Sequence, residues 1–215
     1  MISLAYIVLN EEAYIRRSIE SVRSVVDEIV VLDHFSSDRT VLICESLGAK
    51  VYQDKWIHDF SHAKNHAKSL CSEPWILFVD ADEHFEGENI EMIRRAVEAS
   101  DESQMAAWSF IRKNHYPVHD SDSPFYGPPF FPDFQVRLFR NSNDIYFSGE
   151  VHEGVVQSIN EGKVGGIGRL SVCIHHHMFR GDKDKFETQK GEYYSLIAKG
   201  AFHEKRIETD ITDGT

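Results

Sequence analysis

Five apolar residues at 75–79 run without a break into two carboxylates, Asp80 and Asp82, that a single alanine separates. Such a run is typical of a central strand that helices cover on both faces, as in a parallel sheet. The carboxyl end of that strand opens onto the crevice that holds ligands in α/β sheets. Residues two apart in an extended chain point to the same side, so we expect Asp80 and Asp82 to face one ligand. A hard divalent cation or a sugar hydroxyl suits this pair of carboxylates.

The first half of the chain alternates strand and helix signals. Strands are predicted at residues 3–9, 28–33, 49–53 and 75–79, and helices at 10–25, 38–47, 61–70 and 88–99. Asn10 and Ser61 are the predicted N-caps of the first and third helices. Strands that alternate with helices in this way imply a parallel sheet with right-handed crossovers. We therefore predict an α/β fold with a Rossmann-like, mostly parallel central sheet flanked by helices.

The second half of the chain has a different pattern. Strands are predicted at residues 105–113, 134–139 and 145–147, a hairpin or loop at 162–168 and a helix at 183–199. Five of the six prolines lie between residues 116 and 132, among several aromatic residues. This segment is interpreted as a long loop that either serves function or packs under the sheet.

Composition narrows the classes of partner and the compartment. The formal net charge is −12, from 23 Lys and Arg against 35 Asp and Glu, which disfavours binding to nucleic acid or anionic lipid. Cys44, Cys71 and Cys173 are odd in number and widely spaced, as expected of reduced thiols. The apolar stretch at residues 2–9 is too short to span a membrane. We therefore expect a cytoplasmic protein with at most peripheral membrane contact.

Four segments, in this order, resemble the inverting family 2 glycosyltransferases, which have the A-type (GT-A) fold. They are an opening strand with its Asn-Glu turn at 7–12, DEIVVLD at 27–33 with SSDRT at 36–40, DFSHAKN at 59–65, and FVDADE at 78–83. Weaker similarity continues through RLFR at 137–140, GEVHE at 149–153 and the histidines at 175–177. The soluble members that modify lipopolysaccharide core or peptides are the most similar in pattern.

The resemblance implies a division of labour along one continuous GT-A domain. Residues 1–100 would form the half that binds the nucleotide sugar. Residues 101–200 would form the acceptor-binding half, with a smaller mixed β region, the loop at 116–132 and the C-terminal helix. Residues 201–215 would be a polar tail. No oligomeric state is predicted.

A nucleoside diphosphate sugar, most often a UDP-sugar, is the donor that the resemblance implies. The residues that would contact it are Val8, Asn10, Glu12, Asp33, Lys64, Asp80 and Ala81. A carboxylate such as Asp33 at a strand end can accept hydrogen bonds from a uracil imide or from ribose hydroxyls, although it could instead cap the next helix. Lys64 lies in the first turn of a predicted helix, where it would favour a diphosphate, although it could be an exposed surface lysine.

The resemblance also implies a divalent cation, Mn²⁺ or Mg²⁺, held by Asp82. His177, and with it His175, would return as a protein ligand from the far end of the chain. In a strand His175 and His177 share one face while His176 faces away. An imidazole ligand suits Mn²⁺ better than Mg²⁺.

An inverting transfer needs one general base that deprotonates the acceptor as it attacks the anomeric carbon. The segment at 149–153 supplies the candidates. By resemblance Glu153 is the base, Glu150 is the alternative, and His152 lies beside the metal or the acceptor. The competing interpretation is that Glu153 is an exposed residue that follows a strand.

Three departures limit what the family pattern implies. Residues 34–35 are His-Phe where the family has Ser-Gly, and Lys64 replaces an arginine. The QxxRW motif of processive enzymes is missing, so we predict the addition of a single sugar.

His62 and His66 have the spacing of a zinc pair, but without the glutamate of HExxH we interpret them as an exposed or groove-lining face.

Two other functions stay open. A nucleotidyltransferase also uses aspartate-bound metal on a similar sheet, but it would need a glycine-rich phosphate loop where this chain has residues 9–12. An inactive sugar-nucleotide-binding or scaffold protein would keep the shape without turnover. The acceptor is equally open among a saccharide, a lipid-linked saccharide and a peptide.

Overall fold

One mixed sheet organises the protein. The computed structural model describes residues 1–87, 89–115, 133–149 and 153–177. Its strands are β1 (Ile2–Val8), β2 (Glu28–Asp33), β3 (Lys50–Gln53), β4 (Trp75–Phe78), β5 (Glu83–Glu86), β6 (Met105–His115), β7 (Asp133–Arg140) and β8 (Gly166–His177). The helices are α1 (Ile15–Val22), α2 (Thr40–Ser46), α3 (Phe60–Ser69), α4 (Met92–Ser103) and α5 (Val156–Gly162). The strands lie in the order β3-β2-β1-β4-β7-β6-β8-β5.

The first four strands are parallel to one another, as predicted, and β6 and β8 form a further parallel pair. β1 pairs in parallel with both β2 and β4, and β2 pairs in parallel with β3. All six residues of β2 and all four of β4 are buried, which is why both sequences are almost continuously apolar. Buried side chains of α1, among them Ile15 and Ile19, pack on one face of the sheet, and Ala67 of α3 packs on the other. Among the described residues, no helix is long and apolar enough to cross a lipid bilayer.

Two predicted helix caps are wrong because loop-to-loop hydrogen bonds take their place. Asn10 has a positive φ of 57°, and its Oδ1 accepts the N–H of Ser37 at 2.8 Å, so α1 begins only at Ile15. Asp59, rather than Ser61, caps α3 by accepting the N–H of His62 at 2.9 Å. Ser61 instead donates its hydroxyl to the carbonyl of Gly149, which ties α3 to the second half of the chain.

The second half departs further from the predicted elements. Residues 145–147 do not form a strand, because the side chain of Asn65 binds both the N–H and the C=O of Phe147, at 2.8 and 2.9 Å. Of the hairpin or loop predicted at residues 162–168, the hairpin is wrong. Residues 163–165 form a short loop between the end of α5 and the start of β8, with Lys163 in the left-handed region. The predicted loop at 116–132, the helix at 183–199 and the tail at 201–215 lie outside the described residues.

A buried carboxylate joins the strands at the end of the sheet opposite the aspartates of the sequence motif. Glu28 begins β2 and accepts hydrogen bonds from the hydroxyl of Ser3 in β1, from Lys50 Nζ in β3 (2.7 Å) and from the N–H of Ser72 (2.8 Å). Burial alone would raise the pKa of Glu28, but these hydrogen bonds outweigh it and lower the pKa to about 2.

We expect Glu28→Gln to destabilise the protein by on the order of 2 kcal/mol at pH 7. Because the pKa of Glu28 is lowered from 4.5 on folding, its stabilisation is present above pH 4.5 and is lost as the pH falls towards 2. Urea unfolding between pH 2 and 7 should therefore show a shallower acid loss for the variant. Glu45→Gln, at an exposed position of α2, is the matched control and should leave the slope unchanged. Equal slopes for wild type and Glu28→Gln would contradict the prediction.

Candidate active site

The two aspartates of the motif follow β4 in a tight turn rather than in extended chain. β4 ends at Phe78, and the N–H of Glu83 donates to the carbonyl of Asp80 at 2.9 Å, which closes the turn. The expected extended geometry is therefore wrong, and the two carboxylates meet different side chains. Asp80 lies against two cations, whereas Asp82 lies 3.6 Å from the Nε2 atom of His176.

Asp80 is held between Arg137 of β7 and Lys64 of α3. Its Oδ2 lies 2.6 Å from Arg137 Nη2 and its Oδ1 lies 3.2 Å from Lys64 Nζ. Burial would raise the pKa of Asp80, but the positive charges of Arg137 and Lys64 outweigh it and hold the pKa well below its usual value. Asp80 is consequently ionised at any physiological pH.

Lys64 is buried, with only 4% of its side chain exposed, so it is not a surface lysine. Its ammonium lies 5.4 Å from the ring centre of Phe78 and 5.7 Å from that of Phe147, a distance at which cations are attracted to aromatic faces. A second carboxylate, Glu153, lies 2.8 Å from the same ammonium. Lys64 thus brings together Asp80 and Glu153, the predicted donor-side acid and the predicted base, from distant parts of the sequence.

Arg137 extends this charge network to the other strands. Its Nη2 donates to Glu83 Oε1 at 2.6 Å, and Glu83 is fully buried. Arg112 of β6 also approaches Glu83, at 3.4 Å, and pairs with Asp133 at 2.8 Å. The buried acids are therefore each matched by a guanidinium, as buried charges require.

Sequence reasoning did not single out Arg137, Glu83 or Arg112 as site residues. The signal that points to them is an arginine in the middle of a predicted strand, since a buried guanidinium needs a carboxylate partner. Which carboxylate it meets depends on the pairing of β7 beside β4, where Leu77 lies opposite Leu138.

The three consecutive histidines of β8 divide between the two faces of the sheet. His176 lies opposite Glu83 in the register of β5 and β8, and its Nε2 faces Asp82 while its Nδ1 contacts Asn114 Oδ1 at 2.8 Å. The rings of His175 and His177 lie on the other face. Of the described histidines, His176 is therefore the one whose imidazole faces Asp82. The backbone N–H of His177 donates to the carbonyl of Asp82 at 3.0 Å.

On that other face, His175 and His177 belong to a stack of four imidazoles. The ring centres of His84 and His177 are 5.0 Å apart, and His115 lies 5.0 Å from His175 and 5.1 Å from His177. Burial lowers the pKa of His84, His175 and His177, and the neighbouring rings act in the same direction. We call these four residues the histidine stack.

The predicted nucleotide residues lie at the carboxyl ends of β1 and β2. Asp33 is fully buried and accepts the N–H of Ser36 and the amide of Gln53, at 3.1 and 3.0 Å, so it shapes the loop that follows β2. Glu12 is paired with Arg39 Nε at 3.0 Å, and this hydrogen bond lowers the pKa of Glu12. Val8 and Ala81 are buried, while Glu150 and His152 lie outside the described residues.

Comparison with known proteins identifies a family. The model of Glycosyl transferase family 2 matches residues 3–151. An uncharacterised glycosyltransferase of Rickettsia typhi is 37% identical over 221 residues, which cover 98% of this chain and 73% of that protein. An uncharacterised glycosyltransferase of Rickettsia bellii is 45% identical over 87 residues, which cover 40% of this chain. That match spans 29% of the Rickettsia bellii protein, so this chain corresponds to only part of some relatives.

Solved structures share the fold. S. aureus TarS 1–349 in complex with UDP-GlcNAc has a TM-score of 0.59 at 19% identity, over 91% of this chain and 66% of that chain. Glucosyl-3-phosphoglycerate synthase from Mycobacterium tuberculosis, in complex with Mn²⁺, UDP-glucose and phosphoglyceric acid, has a TM-score of 0.57 at 16% identity. That match covers 94% of this chain and 79% of the synthase. The predicted GT-A fold is thereby confirmed.

We expect Arg137→Met to destabilise the protein by about 3–5 kcal/mol at pH 7, because it leaves Asp80 and Glu83 buried without their shared cation. Urea unfolding measures the change. Arg16→Met is the matched control, since Arg16 forms a half-exposed helical pair with Glu20 and should change stability by less than about 0.5 kcal/mol.

The pH dependence of the stability of wild type and of Arg137→Met gives a second test. The lowered pKa of Asp80 stabilises wild type above the ordinary value of 3.8, and this stabilisation is lost as the pH falls below it. The stability difference between wild type and Arg137→Met should therefore narrow below pH 3.8. A difference that stays constant down to pH 2 would show that packing, not charge, is the cause.

Proposed function

The chain belongs to the family 2 glycosyltransferases, and we therefore propose that it transfers a sugar from a nucleoside diphosphate sugar to an acceptor hydroxyl or thiol. One observation carries the proposal: Lys64 joins Asp80 to Glu153, while Asp82, two residues after Asp80 in the same turn, lies 3.6 Å from His176. The carboxyl end of β4 would thus carry Asp80 for the donor, Glu153 as the base, and Asp82 with His176 for a cation. Ligands bind at this edge in open α/β sheets.

UDP is the nucleotide that we propose for the donor. TarS, which is similar in fold, was crystallised with UDP-GlcNAc, and the synthase was crystallised with UDP-glucose. We propose that Asn10 and Glu12 after β1, with Asp33 after β2, line the base and ribose pocket. The backbone at Val8 and Ala81 would form its floor, and Asp80 and the Lys64 ammonium would lie towards the diphosphate.

A divalent cation fits Asp82 and His176. Their Oδ1 and Nε2 atoms are 3.6 Å apart, and a carboxylate with an imidazole suits Mn²⁺ and, less well, Mg²⁺. We propose these two residues as the protein ligands, in preference to His175 and His177, whose rings face the opposite side of the sheet. When bound, the cation neutralises the negative charge of the departing nucleoside diphosphate.

Glu153 is the general base that we propose. As the acceptor oxygen forms its bond to the anomeric carbon, the bond from that carbon to the diphosphate oxygen breaks, and Glu153 takes the acceptor proton. One displacement inverts the configuration and needs no covalent enzyme intermediate. The 2.8 Å contact with Lys64 holds the Glu153 carboxylate against the same ammonium that binds Asp80.

Two other functions have weaker support. A nucleotidyltransferase would cradle phosphates in a glycine-rich loop after β1, whereas residues 9–12 here read Leu-Asn-Glu-Glu. A scaffold without turnover would not need a buried lysine between two carboxylates. A saccharide, a lipid-linked saccharide or a peptide are the acceptor classes that we propose to screen.

We expect UDP to bind in the presence of Mn²⁺ and to lose most of its affinity in excess EDTA or in the variant Asp82→Asn. Titration calorimetry measures the affinity, and UDP at about 100 times its Kd should add roughly 2.7 kcal/mol of stability. Asp101→Asn, at a position with 84% of its side chain exposed, is the control and should bind like wild type. UDP binding that neither EDTA nor Asp82→Asn weakens would refute the metal assignment.

We expect Glu153→Gln to lower the rate of UDP-sugar turnover by about 10²–10⁴-fold and to leave the Kd of UDP within a few-fold, because a general base acts on the acceptor side. Release of UDP from UDP-glucose or UDP-GlcNAc, with water or a sugar acceptor, measures the rate. Glu161→Gln, on the exposed side of α5, is the matched control. Full turnover in Glu153→Gln, with loss in Glu150→Gln, would transfer the role of base to Glu150.

A further inference from the structure

The histidine stack lies beside a carboxylate, Glu86, on the face of β8 opposite the proposed donor-metal ligands Asp82 and His176. We propose that His84, Glu86 and His175 form a second metal site, for Zn²⁺ or a similar borderline transition-metal ion. One ligand atom from each of the three residues lies within 4.8 Å of the others. In the register of β5 and β8, His84 lies directly opposite His175, so the site joins the two strands.

The distances suit a small tetrahedral ion. His84 Nε2 lies 2.9 Å from Glu86 Oε1, and His175 Nε2 lies 3.8 Å from Glu86 Oε2. Ligand bonds of about 2.0–2.1 Å in a tetrahedral zinc site place the ligand atoms about 3.4 Å from one another. The observed separations fall on either side of this value, so small rotations of the Glu86 side chain would complete the site.

The ring of His175 is held so that Nε2 is directed at Glu86, because its Nδ1 lies 2.8 Å from Nε2 of His115. Metal binding through Nε2 requires that Nδ1–H of His175 donates this hydrogen bond and that His115 Nε2 accepts it. Ligand histidines in metal sites are held in this way by a partner on the second nitrogen. His115 is therefore a positioning residue of the proposed site.

His84, Glu86 and His175 give two imidazoles and one carboxylate. This is a ligand set for zinc rather than for Mg²⁺, which prefers oxygen, and a water would take the fourth tetrahedral position. His177 lies beside the site rather than in it: its ring stacks on that of His84, and its buried Nε2 has no hydrogen-bond partner among the described residues.

One cation competes for the carboxylate. Arg17 of α1 donates to Glu86 Oε1, the same oxygen that contacts His84. More than half of the Arg17 side chain is exposed, so it can withdraw to water at little cost. The proposed ion would replace Arg17 as the counter-charge of Glu86.

The site is separate from the proposed donor metal. Asp82 and His176 face one side of β8, whereas His84, Glu86 and His175 face the other. The second ion would clamp the short strand β5, which among the described strands pairs only with β8. It goes beyond sugar transfer and does not depend on it.

The test is metal counting on the full chain after removal of bound metal with a chelator. The protein is equilibrated with Zn²⁺, separated from excess by gel filtration and analysed by mass spectrometry of the metal. We expect Asp82→Asn, which lacks the donor-site carboxylate, to retain one equivalent of zinc. Adding His84→Gln or His175→Gln to Asp82→Asn should weaken zinc binding by about 100-fold or more.

Matched controls separate this site from adventitious histidines. His62→Gln, at an exposed position of α3, should bind zinc like its parent. His115→Gln removes no ligand and should weaken binding by about 10–100-fold without changing the stoichiometry. Zinc retained in full by both His84→Gln and His175→Gln, or lost with His62→Gln, would overturn the proposal.

A spectrum of the unmutated site guards against variants that do not fold. Co²⁺ bound to Asp82→Asn should give the intense visible absorption of tetrahedral coordination, and zinc should displace it whereas Mg²⁺ should not. Zinc should also raise the Tm of this protein. A weak octahedral spectrum with no change in Tm would overturn the proposal even if every histidine variant failed to fold.

Discussion

The buried guanidinium of Arg137 in β7 joins the end of β4 to the start of β5, at the point where the candidate active site forms. It binds Asp80, which follows β4, and Glu83, which begins β5, at 2.6 Å each. Both carboxylates belong to one turn, so this single cation sets the conformation of the segment that carries Asp82. Burying these three charges costs free energy, and their mutual attraction offsets the cost only while all three remain paired. Removal of any one of them should therefore destabilise the turn. Lys64 forms the second ion pair of Asp80 and also pairs with Glu153.

Much of the fold could be predicted from the sequence because local pattern and tertiary environment agree. Residues 28–33 were predicted as a buried strand, and β2 has these bounds since both of its faces are covered. The predictions failed where distant side chains bind the backbone. Asn10 has a partner at Ser37, and Asn65 replaces the strand partners of Phe147. No local propensity describes such contacts, because the two partners lie 27 and 82 residues apart in the chain.

The sequence predicted several residues of the candidate site, but not which of their side chains contact one another. Lys64, Asp80 and Glu153 were each proposed from resemblance, and in the structure Lys64 contacts both carboxylates. The histidines show why the rest could not be read from the sequence. Whether His176 or His177 faces Asp82 depends on the register of β5 against β8, and a shift by one residue exchanges the faces. Four-residue β5 carries too little pattern to predict that register.

The hydrogen bond from the N–H of His177 to the carbonyl of Asp82 has a thermodynamic consequence. Asp82 is a proposed ligand of the donor cation, and the ring of His177 stacks on His84 of the second proposed site, on the opposite face of the same strand pair. If binding of one ion moves this hydrogen bond, the occupancies of the two sites are linked rather than independent. Linkage is reciprocal: whatever factor zinc applies to the affinity for the donor cation, the donor cation must apply to zinc. Sugar-nucleotide affinity would then report the availability of a metal that never touches the sugar.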